Sequence, residues 1–362
     1  NGRVMRKWNF SAGPAAIPEQ VLKETQSELL EWNNSGMSIM EMSHRSKIYD
    51  TVATEAKQDF IDILKVPDSH DVLFLQGGAT HQFSMVPMNF GRKDVAADYV
   101  LSGSWSKKAI AEGSKVTNIN TIASSEDMQF THAPNPDVWE MKSDSSYTHY
   151  CPNETIQGVA IHSPPKKANT LIADMSSVIL SEPIDVSNFS LIYAGAQKNI
   201  GPAGLTMVVI EKELMGKENE SLPNILRYSK HAESDSMLNT PPTFSWYMAG
   251  KVFKWIKRSG GLDHFKKQNH LKASTLYGYI DNSDFYSNPV KIENRSIMNI
   301  PFILADSNLD SLFLKESEEA GLLNLKGHRL VGGMRASIYN AMPIEGINQL
   351  IDFMESFKAK YG

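Results

Sequence analysis

Lys198 lies in a connection of small residues, where a lysine side chain has no evident packing role. The stretch Tyr193-Ala-Gly-Ala-Gln-Lys-Asn-Ile-Gly-Pro-Ala-Gly204 joins two apolar runs. Small neighbours let a bulky ligand approach the backbone closely. A lysine amine there can contact a phosphate, or it can condense with an aldehyde to form a Schiff base. The ordinary alternative is a solvated loop lysine, so the accompanying residues decide between these roles.

Three further features supply what a Schiff-base cofactor such as pyridoxal phosphate requires. Asp174 ends an apolar run, and a carboxylate beside the pyridine nitrogen would keep that ring protonated. Gly77-Gly-Ala-Thr80 opens a helical stretch, where free backbone N–H groups favour an anion. Trp105 offers a flat surface for stacking. The ordinary alternatives are a helix N-cap for Asp174, a tight glycine turn, and a core tryptophan.

These residues follow short apolar runs that the pattern predicts to be strands. The predicted strands cover residues 72–75, 99–101, 116–119, 170–173, 191–194 and 205–210. Several are apolar in succession rather than in alternation, which is typical of strands covered on both faces of a parallel sheet. Helical stretches or long connections separate them. The sequence therefore predicts an α/β fold with a mainly parallel sheet flanked by helices, and ligands bind at the carboxyl ends of such strands.

Helical periodicity predicts the elements around this sheet. One helix is predicted over 18–33, from Val21, Thr25, Leu29 and Trp32, and a second is closed by Pro67, from Ile48, Val52, Phe60 and Leu64. Helices over 246–258 and 262–280 follow, then strand 297–304, helix 309–320, strand 334–339 and helix 344–359. This order predicts a large domain of residues 16–265 and a smaller α+β domain of residues 1–15 and 266–362.

Composition excludes several classes of partner. The net charge of −5 leaves no strong basic field to hold nucleic acid. No apolar run approaches the roughly 18 residues that a membrane span needs, and residues 1–8 lead into no apolar stretch typical of a secretory signal. The single cysteine, Cys151, precludes a disulfide within the chain, and no metal site is predicted. A cytoplasmic location is expected, with Cys151 as a buried structural thiol rather than a nucleophile.

Several longer motifs resemble the phosphoserine aminotransferase family. They are Asn9-Phe-Ser-Ala-Gly-Pro14, Ser43-His-Arg45, His149-Tyr-Cys-Pro-Asn-Glu-Thr155, the Lys198 stretch, Asn239-Thr-Pro-Pro-Thr243, Lys326-Gly-His-Arg329 and Gly332-Gly-Met-Arg-Ala-Ser-Ile-Tyr-Asn340. The resemblance implies a class V pyridoxal-phosphate aminotransferase of fold type I, a homodimer with interface active sites. It implies amino-group transfer between L-glutamate and 3-phosphohydroxypyruvate in serine biosynthesis. In bacteria the family also acts on a phosphorylated threonine-like intermediate of pyridoxal-phosphate synthesis.

The resemblance also implies a role for each matched residue. Lys198 would carry the Schiff base, Asp174 would pair with the ring nitrogen, Trp105 would stack on the ring and Thr155 would contact its hydroxyl. Ala79, Thr80 and Gln197 would lie at the cofactor phosphate, and Asn239 and Thr240 would reach the phosphate in the neighbouring subunit. Substrate anions would be held by His44, Arg45, His328, Arg329 and Arg335, with Arg335 on the α-carboxylate.

One departure and two alternatives accompany this resemblance. Many family members have Gly-Arg where this chain has Ala79-Thr80, so substrate-phosphate binding must depend on other basic residues. One alternative function is another class V aminotransferase, of the alanine–glyoxylate or serine–glyoxylate type. The other is a non-catalytic α/β binding protein in which Lys198 only contacts a phosphate. Colour and a borohydride-trapped adduct at Lys198 separate an enzyme from such a binding protein.

Overall fold

A seven-stranded sheet occupies the centre of the part of the chain that the computed structural model describes, residues 5–167 and 169–362. The strands in chain order are β1 (Trp8–Asn9), β2 (His70–Leu75), β3 (Ala97–Leu101), β4 (Ile119–Ser124), β5 (Thr148–Tyr150), β6 (Asn153–Glu154), β7 (Val159–Ala160), β8 (Leu171–Asp174), β9 (Leu191–Gly195), β10 (Thr206–Glu211), β11 (Tyr286–Ser287), β12 (Asn299–Leu304), β13 (Leu322–Leu323) and β14 (Met334–Ser337). The helices are α1 (Glu19–Glu28), α2 (Lys47–Leu64), α3 (Gly78–Phe90), α4 (Ser104–Gly113), α5 (Lys212–Met215), α6 (Tyr228–Glu233), α7 (Thr243–Arg258), α8 (Gly261–Asp281), α9 (Asp310–Glu319) and α10 (Ile344–Tyr361).

The central sheet has the strand order β2-β10-β9-β8-β5-β3-β4. Strand β10 is antiparallel to both of its neighbours, and the remaining pairs are parallel. Successive residues of β8 and β9 point to opposite faces, as the pleat requires. Ile172 packs into the apolar layer on one face of the sheet and Ala173 into the layer on the other. Both faces are therefore covered, which explains the unbroken apolar runs and confirms the predicted mainly parallel α/β fold.

A second apolar cluster forms around β12, β14, α10 and the carboxyl-terminal half of α8. Phe10, which follows β1, belongs to this cluster too. Helix α8 links the two cores, because Phe265 packs in the sheet's cluster and Leu276 in the second one. The predicted domain boundary between residues 265 and 266 falls inside this helix and stays a prediction, and residues 1–4 of that prediction lie outside the described residues.

Three local predictions were wrong. The helix expected over 18–33 ends at Glu28, and Asn33 and Asn34 adopt left-handed backbone angles that no helix can continue through. The strand expected over 116–119 begins only at Ile119. Val116 lies in the preceding turn and is 41% exposed, and β4 is a half-exposed edge strand whose polar residues concealed it. Ile48 is also 41% exposed, since Tyr49 faces the core in its place.

No helix among the described residues is both long and apolar enough to cross a membrane.

Candidate active site

The predicted site residues gather where five parallel strands end. Helix α3 follows β2, α4 follows β3, the segment 151–155 follows β5, Asp174 ends β8, and Lys198 lies three residues beyond β9. Their carboxyl ends share one edge of the sheet, so residues distant in sequence meet there. They enclose a cavity of about 280 Å³. Its lining includes Ala79, Thr80, Trp105, Thr155, Asp174, Gln197 and Lys198.

The Lys198 side chain is 9% exposed, and its amine faces this cavity. Lys198 Nζ donates a hydrogen bond to Thr155 Oγ1 at 2.7 Å and lies 6.0 Å from the centre of the Trp105 ring. Burial lowers the pKa of Lys198 to about 8, although the nearby Asp174 carboxylate opposes that shift. A larger fraction of this amine is therefore neutral near pH 7 than for an exposed lysine, which makes it a better nucleophile and base.

Asp174 caps the turn that follows β8 and also lines the cavity. Its Oδ1 accepts hydrogen bonds from the Ser176 N–H at 3.0 Å and from Ser176 Oγ at 2.8 Å. The Ser176 hydroxyl in turn accepts from the Gly195 N–H at 3.1 Å, which joins the ends of β8 and β9. The capped segment is a turn rather than a helix. Asp174 also lines the cavity, and burial raises its pKa while Ser176 and Lys198 oppose the rise.

The start of α3 forms one wall of the cavity. Gly77 and Gly78 have φ angles of +93° and +68°, which a side chain would strain, so glycine is needed to turn the chain from β2 into the helix. The Gly78 N–H donates to Thr206 Oγ1 at 2.8 Å, which ties this turn to β10. Gly195 lies across the gap, where an added Cβ would come within 3.7 Å of the Ala79 nitrogen. The open space beside the first helical N–H groups suits a phosphate.

Glu154, a residue that the sequence did not single out, fixes the helix that carries Trp105. Its carboxylate is fully buried and accepts from the Trp105 N–H at 3.0 Å, and from the Ser106 N–H at 3.3 Å and hydroxyl at 2.7 Å. An acceptor at the start of α4 satisfies N–H groups that lack a partner within the helix. Burial raises the pKa of Glu154 to about 7 against the lowering effect of these bonds. The only advance signal was its position next to Thr155.

Arg335 and His328 do not line the cavity, but Arg335 contacts a residue that does. Arg335 Nη1 donates to the Thr155 carbonyl at 3.4 Å, so the guanidinium approaches the segment that holds Lys198. Burial lowers the pKa of Arg335. Burial also lowers the pKa of His328, and the charges of Arg335, Arg329 and Lys108 add to the effect. Arg335, Arg329 and Lys108 thus lie near enough to His328 for their charges to affect its pKa, and the sequence did not flag Lys108.

Like Arg335, His328 and Arg329, four further predicted residues do not line the Lys198 cavity of their own chain. His44 and Arg45 lie between Met42 and α2, and His44 Nε2 is buried without a hydrogen-bond partner in the described part of the chain. Asn239 lines a separate cavity with Gln76, whose Nε2 donates to the Thr240 carbonyl at 3.2 Å. Gln76 immediately precedes the Gly77 turn, so the 239–240 segment lies beside the start of α3.

The donor set matches pyridoxal phosphate. The cofactor needs an amine for its aldehyde, an acid for its ring nitrogen, an aromatic surface for its ring and N–H groups for its phosphate. Lys198, Asp174, Trp105 and the start of α3 supply these at one cavity. Cys151 also lines the cavity, but its thiol is buried and burial raises its pKa, which disfavours a thiolate nucleophile.

Similarity to known proteins shows which family this chain belongs to. The aminotransferase class V family model matches residues 7–350. Phosphoserine aminotransferase of Hahella chejuensis is 52% identical over 356 residues, covering 98% of this chain and 99% of that protein. The solved phosphoserine aminotransferase of Bacillus circulans subsp. alkalophilus superposes with a TM-score of 0.97 at 44% identity, covering 99% of both chains. The pyridoxal-phosphate-bound enzyme of Trichomonas vaginalis gives a TM-score of 0.91 at 38% identity, covering 97% of this chain and all of that one. The chain therefore belongs to the class V aminotransferases and, among them, to the phosphoserine aminotransferase family.

Proposed function

We propose that this protein is a phosphoserine aminotransferase, which transfers an amino group between L-glutamate and 3-phosphohydroxypyruvate to give O-phospho-L-serine and 2-oxoglutarate. The observation that carries the proposal is the buried Lys198 amine, which faces a cavity shared with Asp174 and the start of α3. The 52% identity with a phosphoserine aminotransferase over nearly the whole chain supports the choice of substrate. The reaction serves serine biosynthesis, and we place it in the cytoplasm.

Lys198 is the catalytic residue of this proposal. Pyridoxal phosphate, when bound, supplies an aldehyde carbon that amines attack and a ring that accepts electrons. The Lys198 amine would hold that carbon until a substrate amine replaces it. Thr155 keeps the amine at the cavity through the 2.7 Å hydrogen bond. Once released, an amine with a pKa of about 8 is suited to take a proton from the substrate Cα and to return one, because its pKa is close to the operating pH.

The other cavity residues would hold the cofactor. The Asp174 carboxylate would pair with a protonated ring nitrogen, and its fixed position comes from the two bonds of Ser176 to Oδ1. The Trp105 ring would cover the cofactor ring, and Glu154 holds the backbone of that residue in place. Ala79, Thr80 and Gln197 would take the phosphate, where the N-terminal end of α3 contributes a favourable partial charge.

Arginine and histidine side chains would bind the substrate anions. Both amino-acid substrates have an α-carboxylate and a second anion at the far end, and the planar fork of arginine binds either in a bidentate manner. Arg335 is assigned to the α-carboxylate because it already reaches the Thr155 carbonyl beside Lys198. His328 and Arg329 are assigned to the distal anion.

A homodimer is part of the proposal. His44, Arg45, Asn239 and Thr240 match family motifs, yet none of them lines the Lys198 cavity of its own chain. Within the described part of the chain, none of them hydrogen-bonds to a lining residue either, as Arg335 does to Thr155. We therefore place them at the cavity of a second copy, where Asn239 and Thr240 contact the cofactor phosphate and His44 and Arg45 contact the substrate.

A donor assay tests the proposed reaction. Purified protein with pyridoxal phosphate should transfer the amino group of phosphoserine to 2-oxoglutarate far faster than it transfers that of alanine to glyoxylate. A clear preference for alanine would instead indicate the glyoxylate-type enzyme. A protein that stays colourless with pyridoxal phosphate, and gives no borohydride-trapped adduct at Lys198 by mass spectrometry, would be a binding protein.

Mixed dimers test the shared site. Lys198→Met and Arg45→Ala proteins, each inactive alone, are unfolded together and refolded. If Arg45 acts on the partner's site, one site in each mixed dimer keeps both residues, and roughly a quarter of wild-type activity should return. If Arg45 acts within its own chain, no site in the mixture is intact and activity stays absent.

A further inference from the structure

A buried asparagine pair, Asn153 and Asn299, links the Lys198 cavity to the strand that carries Arg335. Asn153, on β6, is 2% exposed and lines the cavity, and its Nδ2 donates to Asn299 Oδ1 at 2.9 Å. Asn299 lies on β12, is fully buried, and is not part of the cavity lining. Its own Nδ2 donates to Ser337 Oγ, on β14, at 2.9 Å. Two hydrogen bonds therefore lead from the cavity wall to the strand of Arg335.

Ser337 and Arg335 lie on the same face of β14. The residues that alternate with them, Met334 and Ala336, pack in the second apolar cluster, so Ser337 and Arg335 face the other way. Asn299 is the β12 partner of Ser337 in the antiparallel register and shares that face. A shift in the contact between Asn299 and Ser337 would therefore carry the backbone of Arg335, two residues away, with it.

The Asn153 amide uses both of its donors and its acceptor. Its second Nδ2 hydrogen goes to Ser177 Oγ at 2.7 Å, and Ser177 lines the cavity. The Ser177 hydroxyl in turn donates to the Asn153 carbonyl at 2.9 Å, so it must accept from the amide. Asn153 Oδ1 accepts from Ser296 Oγ at 2.6 Å, and Ser296 precedes β12. An ionised aspartate of the same size could not replace this amide, since a carboxylate only accepts.

The direct contact of Arg335 with the cavity wall is too long to fix its position. Arg335 Nη1 lies 3.4 Å from the Thr155 carbonyl, beyond the usual range of about 2.7–3.2 Å. The β6–β7 turn that contains Thr155 packs closely on β12, because a Cβ added to Gly158 would lie 2.4 Å from Pro301 Cδ. Pro301 is the β12 partner of Arg335. The asparagine pair and this packing therefore set how far the guanidinium lies from Lys198.

We propose that Asn153 and Asn299 are positioning residues, which hold Arg335 at the distance from Lys198 that the α-carboxylate and the amine of one substrate require. The inference rests on the proposed function, because it assumes an amino acid whose α-carboxylate binds Arg335. The carboxylate and the amine are joined through a single Cα, so a misplacement of about 1 Å can slow the reaction about a hundredfold. The alternative is a polar network that only stabilises the fold.

Two phosphorylated amines separate these roles. Phosphoserine and phosphoethanolamine differ only in the α-carboxylate, so only phosphoserine can use Arg335. In Asn299→Ala holoenzyme, the kcat/KM for phosphoserine should fall by roughly 10- to 100-fold. The single-turnover rate at which phosphoethanolamine bleaches the yellow cofactor should stay at the wild-type value, as should the visible spectrum before substrate is added. Asn299 is substituted rather than Asn153 because it is not part of the cavity lining.

A buried asparagine elsewhere provides the control. Asn89 is 1% exposed and donates from its Nδ2 to the carbonyls of Met85 and Leu226, at the far end of α3 from the cavity. Asn89→Ala should lose comparable stability but keep the wild-type ratio of the phosphoserine kcat/KM to the phosphoethanolamine rate. Ser337→Ala removes only the last bond of the link, so it should remain folded and show the same pattern as Asn299→Ala more weakly.

A double-mutant cycle makes the test specific to Arg335. Once Arg335→Ala has removed the guanidinium, adding Asn299→Ala should cause no further loss with phosphoserine. Equal losses with both amines would overturn the inference, as would an unchanged kcat/KM for phosphoserine or additive effects of the two substitutions. A wild-type protein that converts alanine but not phosphoserine would contradict the proposed function alone. Alanine and ethylamine, which differ in the same carboxylate, would then carry the same test.

Discussion

Lys198 and Lys272 are both buried lysines, and their surroundings differ in one decisive respect. Lys272, on α8, is 1% exposed and donates to the backbone carbonyls of Ile338, Tyr339 and Met342 at 3.0, 2.8 and 2.8 Å. Burial lowers its pKa to about 7. Lys198 instead donates to one hydroxyl and faces a cavity. Burial and a lowered pKa are common to both, so free space beside the amine is what marks a lysine able to react.

The two lysines are connected through the chain between them. The carbonyls bound by Lys272 belong to the segment that follows β14, and β14 carries Arg335. The Asn340 N–H in that turn donates to Asn199 Oδ1 at 3.0 Å. Asn199 is the residue after Lys198. Lys272 thus stabilises the frame from which Lys198 and Arg335 project.

The largest effect should come from removing the reactive amine. Lys198→Met should lower amino transfer by at least about a thousandfold, because both the attachment of the cofactor and a general base are lost. Its thermal midpoint should stay close to that of the wild-type apoenzyme, since methionine fills similar space. Substantial remaining activity would show that the cavity does not work through this residue.

Lys272→Met should lower the stability of the fold more than it lowers activity. Three buried carbonyls lose their donor, so the free energy of unfolding should fall by about 2–4 kcal/mol, measured by denaturant titration of the apoenzyme. The folded fraction should keep far more activity than Lys198→Met. Lys266→Met, an exposed lysine on the same helix, provides the control and should leave stability unchanged. If Lys272→Met unfolds no more easily than that control, the three hydrogen bonds do not stabilise the fold.

The pH dependence of cofactor attachment sharpens the contrast between Lys198 and an exposed lysine. With its pKa at about 8 rather than the ordinary 10.5, the Lys198 amine is mostly protonated below pH 8 and mostly neutral above it. The rate at which apoenzyme gains colour with pyridoxal phosphate should therefore rise roughly tenfold per unit below pH 8 and level off above it. A rate that keeps rising to pH 10 would place the pKa near its unperturbed value.

Glu154→Gln should have the smallest of these effects. An amide NH₂ group in place of one carboxylate oxygen cannot accept from both N–H groups at the start of α4, so stability should fall by about 1–2 kcal/mol. The visible spectrum of the bound cofactor should shift as Trp105 loosens. Glu112→Gln is the control on the same helix, because the half-buried Glu112 side chain pairs with Lys115 and does not cap the start of α4. If the two variants have the same stability and the same cofactor spectrum, Glu154 does not hold Trp105 in place.

Sequence patterns anticipated the parts of the fold that local chemistry controls. The apolar runs of β8 and β9 located the sheet core, and the residues after them, Asp174 and Lys198, came out as cavity residues. Local patterns failed to predict strands that have few apolar residues. Strand β4 is an edge strand with a polar surface, and β5, with the sequence Thr-His-Tyr, was too short and polar to be predicted.

The sequence by itself determined the chemistry available to this protein, because a lysine among small residues, an acid at a strand end and a glycine turn before a helix are local features. Only the tertiary structure decided which buried charged side chains are held by hydrogen bonds and which face open space. The Glu154 contact with Ser106 joins residues 48 apart, and that of Lys272 with Tyr339 joins residues 67 apart. Such contacts depend on how strands and helices pack, so the sequence did not show that backbone carbonyls occupy the amine of Lys272 while the amine of Lys198 faces a cavity.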